Sequence, residues 1–130
     1  MNKELVELDK LFKLNKFDEV ISKTKKLIKK GEFFAPYYNL LGISLDNIGN
    51  SYKAEKIFQE AIKKNSKEIS YYSNLARILI KQDKLDEAEK ILTESSKIKS
   101  DDQYSLFEFG KLKRLQKKFL EGVEYFKKVY

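Results

Sequence analysis

The sequence predicts an all-α chain built from antiparallel helical hairpins, and three observations carry that expectation. First, Tyr38, Leu41, Gly42, Leu45, Ala54, Phe58 and Ala61 return as Tyr72, Leu75, Ala76, Leu79, Ala88, Leu92 and Ser95. They return again as Leu106, Phe109, Gly110, then Gly122, Phe126 and Val129; a period of about 34 residues marks an array of helix pairs. Second, small residues at 42, 54, 61, 76, 88 and 95 alternate with large ones, which is what close-packed helices require. Third, Gly42, Gly110 and Gly122 fall inside helical patterns. There each is disfavoured by about 1 kcal/mol relative to alanine, and close approach of two helix backbones is the compensating reason.

The elements follow in order. Residues 2–14 form a first helix on the stripe Leu5, Leu8, Leu11, Phe12 and Leu14. Asn15-Lys16 turns the chain, and Asp18 and Glu19 suit the N-terminus of a second helix, which runs to about Lys30. Lysines at its end and Gly31 stop it. Pro36 opens the third helix, where its missing N–H is harmless. Gly49-Asn50 ends that helix, and Ser51 is the expected cap of the fourth, which carries Ala54, Ile57, Phe58, Ala61 and Ile62. Asn65-Ser66-Lys67 breaks the pattern. A fifth helix occupies about 69–81, Gln82-Asp83-Lys84 turns, and a sixth runs from Leu85 to about Ile98. Ser100-Asp101-Asp102 supplies caps for a seventh reaching about Gln116, and Phe119 to Tyr130 is the eighth. The expected organisation is one domain, 1–130, of four hairpins: 1–34, 35–68, 69–102 and a shortened 103–130.

Composition removes several function classes. Zero cysteines exclude disulfides and thiolate chemistry, and zero histidines remove the commonest metal ligand and the usual acid-base group near neutral pH. No Ser-His-Asp set and no phosphate-cradling glycine loop is present. Asp83, Asp86, Glu87 and Glu89 look like an acid cluster, but on a helix Asp86 and Glu89 read as solvent-facing, with Lys90 placed to pair with Asp86. No metal, cofactor or catalytic centre is expected. No apolar run approaches the roughly 20 residues of a membrane span, and the start, Met1 to Glu7, lacks a signal-peptide core; a cytoplasmic protein is the expectation. The net charge is +7 with 36% charged residues, which reads first as a solvated lysine-rich helical surface. The third repeat is net acidic and the other three are net basic.

At the repeated residues above, the chain resembles the tetratricopeptide repeat (TPR) family. The second repeat carries the resemblance most fully and the third well. The fourth departs from it at Lys113, where an aromatic or leucine is usual, and the first at Glu7 and Leu8, which stand in the Leu-Gly positions. Ser66 and Ser100 replace the usual proline. The resemblance implies a right-handed α-solenoid of about four units, the first degenerate and the last lacking a capping helix. It also implies a concave groove formed by the first helix of each hairpin. Carried over by repeat position, the groove residues are Asn39, Ile43, Asp46 and Asn47, then Ser70, Ser73, Asn74, Arg77 and Lys81, then Tyr104, Phe107, Glu108, Lys111 and Arg114. Tyr38 and Tyr72 take a core role. Chaperone-binding members clamp a C-terminal carboxylate with Lys or Asn, Asn, and Lys or Arg spread over three repeats. Here those positions read Asn39 and Ile43, then Asn74, then Tyr104 and Glu108, so only Asn74 fits and that clamp is not expected.

The function implied is a non-catalytic scaffold that holds a peptide segment or helix of a partner protein in the groove. Asparagines would bond its backbone, and Arg77, Lys111 and Arg114 would attract its acids. The alternative is a basic helical repeat that binds nucleic acid through Lys111, Lys113, Arg114, Lys117 and Lys118, with Tyr104 and Phe107 stacking on bases. The sequence stops within the eighth helix, leaving Phe126, Val129 and Tyr130 without a cover. Further repeats, or an end-to-end contact between two copies, are the two expected ways of burying them.

Overall fold

A computed structural model describes residues 2–31, 33–116 and 119–129, with side chains throughout these except at 119–122. Among the described residues there are eight α-helices and no strand: α1 (Lys3–Lys13), α2 (Phe17–Lys29), α3 (Ala35–Asn47), α4 (Ser51–Lys64), α5 (Ile69–Lys81), α6 (Leu85–Ile98), α7 (Gln103–Leu115) and α8 (Phe119–Val129). They form two compact units, Met1–Asn65 and Ser66–Tyr130. In the first, α1 pairs with α2, α3 with α4, and α3 also packs on both α1 and α2. The second repeats the arrangement: α5 pairs with α6, α7 with α8, and α7 packs on both α5 and α6.

The same turn joins three of the pairs. Asn15, Gly49 and Asp83, one repeat apart, all have left-handed backbone, at φ 60°, 86° and 63°. The amide after each donates back to a leucine carbonyl: Lys16 to Leu11 at 2.9 Å, Asn50 to Leu45 at 2.8 Å and Lys84 to Leu79 at 2.9 Å. With the bonds that reach three residues back, from Asn15, Gly49 and Asp83 to Phe12, Asp46 and Ile80, this is the Schellman ending of a helix. Glycine adopts it freely, and Asn and Asp are among the few other residues that tolerate it.

Helix starts are capped by Asn2, Asn50 and Asp102, whose side chains accept from the amides of Leu5, Lys53 and Ser105. Ser51, the expected cap of α4, is instead its first helical residue, and its hydroxyl donates to Asp46 at 2.7 Å. Asn50 already lies in the cap position at the end of the turn, so its amide oxygen reaches the free N–H groups first.

Size complementarity holds each hairpin together. A Cβ on Gly42 would overlap the ring of Phe58, itself fully buried, and one on Gly110 would lie 3.0 Å from Phe126. The third repeat has Ala76 and Leu92 at these two positions, a smaller residue facing a larger one, and both are fully buried. In the first repeat the sizes reverse to Leu8 and Thr24, again almost wholly buried. Leu8 is therefore accommodated, because Thr24 yields the space and gives its hydroxyl proton to the Val20 carbonyl at 2.7 Å. A gap of about 210 Å³ persists beside them, edged by Glu7, Lys23 and Leu27, with Glu7 and Lys23 paired across it at 3.1 Å.

Tyr38 and Tyr72 are core residues, 2% and 4% exposed. Burial raises both phenol pKa values above the usual 10.0, with the carboxylates of Glu60 and Glu94 adding to the rise. Tyr72 donates its hydroxyl to the Ser66 carbonyl at 2.7 Å, a bond only the neutral phenol can make. A raised folded pKa means the stabilisation is complete below the unfolded value and is lost as pH climbs through the folded one. Absorbance at 295 nm is expected to show two tyrosines ionising later than in denaturant, together with the onset of alkaline unfolding. In Tyr38→Phe and Tyr72→Phe, one late phenol should disappear in each.

Candidate functional site

The residues picked out by the repeat register lie on the first helix of each hairpin, spaced by three and four so that each set shares one face. In the first unit, α3 carries Asn39, Ile43 and Asp46, with Asn47 beside them. Asn39, Ile43 and Asp46 are half-buried and Asn47 is exposed. Two of the polar groups have local work: Asp46 accepts from Ser51, and the Asn47 amide donates to the Ile43 carbonyl at 3.0 Å.

In the second unit, α5 presents half-buried Asn74 and Arg77 and exposed Lys81. Arg77 has no acidic partner among the described residues. Ser73, expected on this face, is buried and bonded to the Ser70 carbonyl at 3.2 Å, because position 73 turns toward the packed side of α5. Ser70 donates to Glu68 at 2.8 Å.

α7 contributes Tyr104, which is 77% exposed, and a compact cluster one turn further on. Phe107 meets Phe126 of α8 edge-to-face, with ring centroids 5.7 Å apart. The Lys111 ammonium lies 5.4 Å over Phe107 and the Arg114 guanidinium 5.4 Å over Phe126; such cation–ring contacts hold the charged heads in place without neutralising them. Glu108, also expected on the open face, is buried and pairs inward with Lys111 at 3.0 Å. The carboxylate tempers the charge of Lys111 and leaves Arg77 and Arg114 as the freer cations.

Phe126, left by the sequence for an end-to-end contact, is half-buried against Gly110 and Phe107. The signal for this was available, since 126 repeats the register of Phe58. Val129 is half-buried, and Tyr130 lies outside the described residues, as do Lys117 and Lys118. Lys113 does not join the basic face. It is 8% exposed and pairs with Glu89 of α6 at 3.0 Å. It stands where Leu45 and Leu79 stand in the preceding repeats, so its register drives it inward, and Glu89 meets the charge there. The acid cluster is dispersed accordingly: Glu89 reaches α7 and Asp83 lies in the left-handed turn. Among the described residues no group of acids, histidines or cysteines is arranged to hold a metal, and no helix is long and apolar enough to cross a membrane.

The tetratricopeptide repeat family model matches residues 50–106. No curated protein sequence matches the chain. Solved structures do. MamA is 21% identical with a TM-score of 0.82, over 97% of this chain and 74% of that one. TTC0263, a TPR protein of Thermus thermophilus, is 12% identical with a TM-score of 0.84, over 97% and 71%. YrrB, described as a TPR protein with an unusual peptide-binding site, is 15% identical with a TM-score of 0.77, over 94% and 63%. At such identities the likeness is one of fold: an all-α helical repeat.

Proposed function

We propose, for a chain whose residues 50–106 belong to the tetratricopeptide repeat family and whose fold is that of TPR proteins, a non-catalytic scaffold that binds an acidic peptide segment of a partner protein. The peptide lies on the second unit, along Asn74, Arg77 and Lys81 of α5 and Phe107, Lys111 and Arg114 of α7. Asn39, Ile43 and Asp46 of α3 form a separate contact face on the first unit. The observation that carries the reading is Arg77, a half-buried cation with no acidic partner among the described residues, on the same unit as two cations held over aromatic rings. Charge-assisted hydrogen bonds from a fixed guanidinium to carboxylate are among the stronger polar contacts available. The peptide-binding neighbour YrrB supports the choice of ligand class.

Binding nucleic acid finds less support. Lys113, one of the cations that reading needs, is buried and paired with Glu89. Of the other residues expected to hold it, Tyr104 and Arg114 are exposed, and Lys117 and Lys118 lie outside the described residues.

Affinity capture from a native lysate, wild type beside Arg77→Glu/Lys111→Glu, with washes at low and high salt, tests the proposal. A protein held at both salts by wild type alone, and competed by a synthetic acidic peptide, is the expected result. The charge reversals should weaken it at least tenfold. Nucleic acid alone, lost at high salt as counterion release requires, would replace the reading. Capture of the chain's own copies by both versions would place the interaction at Val129 and Tyr130, end to end, instead.

A further inference from the structure

A second site lies away from that face. Between α6, α7 and α8 is a cavity of about 380 Å³, lined by Lys99, Lys113 and Lys128 with one acid, Glu89. None of Arg77, Lys111 or Arg114 lines it. We propose that this cavity binds a phosphate-type dianion.

Lys113 is an unusual residue for its place in the fold. Its register partners Leu45 and Leu79 are 3% and 1% exposed, and a leucine at 113 would satisfy the same packing. An ammonium that is nine-tenths buried loses hydration, which an opposing charge must replace. Glu89 supplies one carboxylate from a side chain that is 41% exposed. The cavity nevertheless contains two further lysines. Lys99 has no acidic partner among the described residues, and the Lys128 ammonium stands 5.5 Å over the Tyr125 ring. Three lysines and one acid therefore line a space many times the roughly 30 Å³ share of a water molecule. Like charges so placed repel unless an anion joins them, and attraction grows with the anion's charge.

The hydroxyls do not change the sign. Thr93, Ser95 and Ser96 donate to carbonyls of their own helix, and Ser105 donates to Asp102. Asp102 is engaged by both the amide and the hydroxyl of Ser105, at 2.9 and 2.8 Å, in capping α7. Recognition thus rests on lysine ammonium groups, which bind phosphate as point charges, and the double charge of a phosphate draws them more strongly than a single carboxylate does.

The test titrates inorganic phosphate into the whole chain at constant ionic strength, following amide shifts by NMR, with chloride as the reference. A saturable response around residues 99, 113 and 128 is expected. Lys113→Met should weaken it at least tenfold while preserving or raising the unfolding midpoint, since the preceding repeats hold leucine there. Lys128→Gln, an exposed position, should weaken it several-fold and serves if Lys113→Met is poorly folded. Arg77→Glu/Lys111→Glu should leave it unchanged, which separates this site from the peptide face. O-phosphoserine titrated in parallel identifies the source: a response confined to inorganic phosphate assigns a free ion, and a tighter response to phosphoserine a phosphorylated side chain. A response no greater than chloride's, or wild-type affinity in a folded Lys113→Met, overturns the proposal.

Discussion

Leu75→Pro is expected to abolish most of the helical circular dichroism of the second unit. Leu75 is 1% exposed in the middle of α5. Proline there removes the amide that bonds to the carbonyl of Tyr71, and its ring clashes with that carbonyl, a loss of about 3 kcal/mol or more. Truncating the leucine forfeits about 2–5 kcal/mol besides. The sum rivals the roughly 5–15 kcal/mol that holds a typical domain together. Arg77→Glu, two residues on, is the control: its side chain is half-buried on the other face, and helicity should be retained. Comparable helix loss in both variants would mean that Arg77 is a packing residue and that the proposed peptide face is misplaced. Leu75→Ala, which keeps the backbone bond, should fall between them.

Transplanting the first repeat's size pair into the second is expected to show strong coupling. Gly42→Leu drives a side chain into the ring of Phe58, which is fully buried and has nowhere to move. Overpacking of this kind is worth about 1–3 kcal/mol of destabilisation, occasionally more. Phe58→Thr leaves a cavity and should lose about 3–5 kcal/mol, the range for removing a buried aromatic. The double variant reproduces the Leu8 and Thr24 arrangement and should recover about 2 kcal/mol or more relative to the sum of the singles, read from urea midpoints as a double-mutant cycle. Simple additivity would show that the reversed sizes in the first repeat are unrelated to each other. Gly110→Ala provides the contrast. Phe126 is only half-buried and 3.0 Å away, so a small shift accommodates the methyl. The gain of alanine over glycine in a helix, up to about 1 kcal/mol, then brings the net change close to zero.

Much of the architecture was legible before any coordinates. Helices α5 and α6 run as the periodicity predicts, and the turns at Asn15, Gly49 and Asp83 fall where turn chemistry places them. These features depend on residues within one or two helical turns of each other, so spacing and side-chain type suffice to find them. The candidate face was legible as a set of positions: Arg77, Lys111 and Arg114 are exposed or half-buried on first helices. Its inward members were not, because Ser73 and Glu108 sit at the edge of that face, where a small rotation of the helix decides between solvent and core.

By itself the sequence determined the helix count, the repeat register and the complementary small and large positions, since each is a matter of local periodicity and side-chain volume. Tertiary structure alone decided which groups meet across the hairpins. Lys113 finds Glu89 from 24 residues away, Phe126 turns onto Phe107 and Gly110, and three lysines converge on one cavity. Such encounters depend on how closely and at what angle neighbouring helices cross, and that geometry belongs to the packed unit, not to any one stretch of chain.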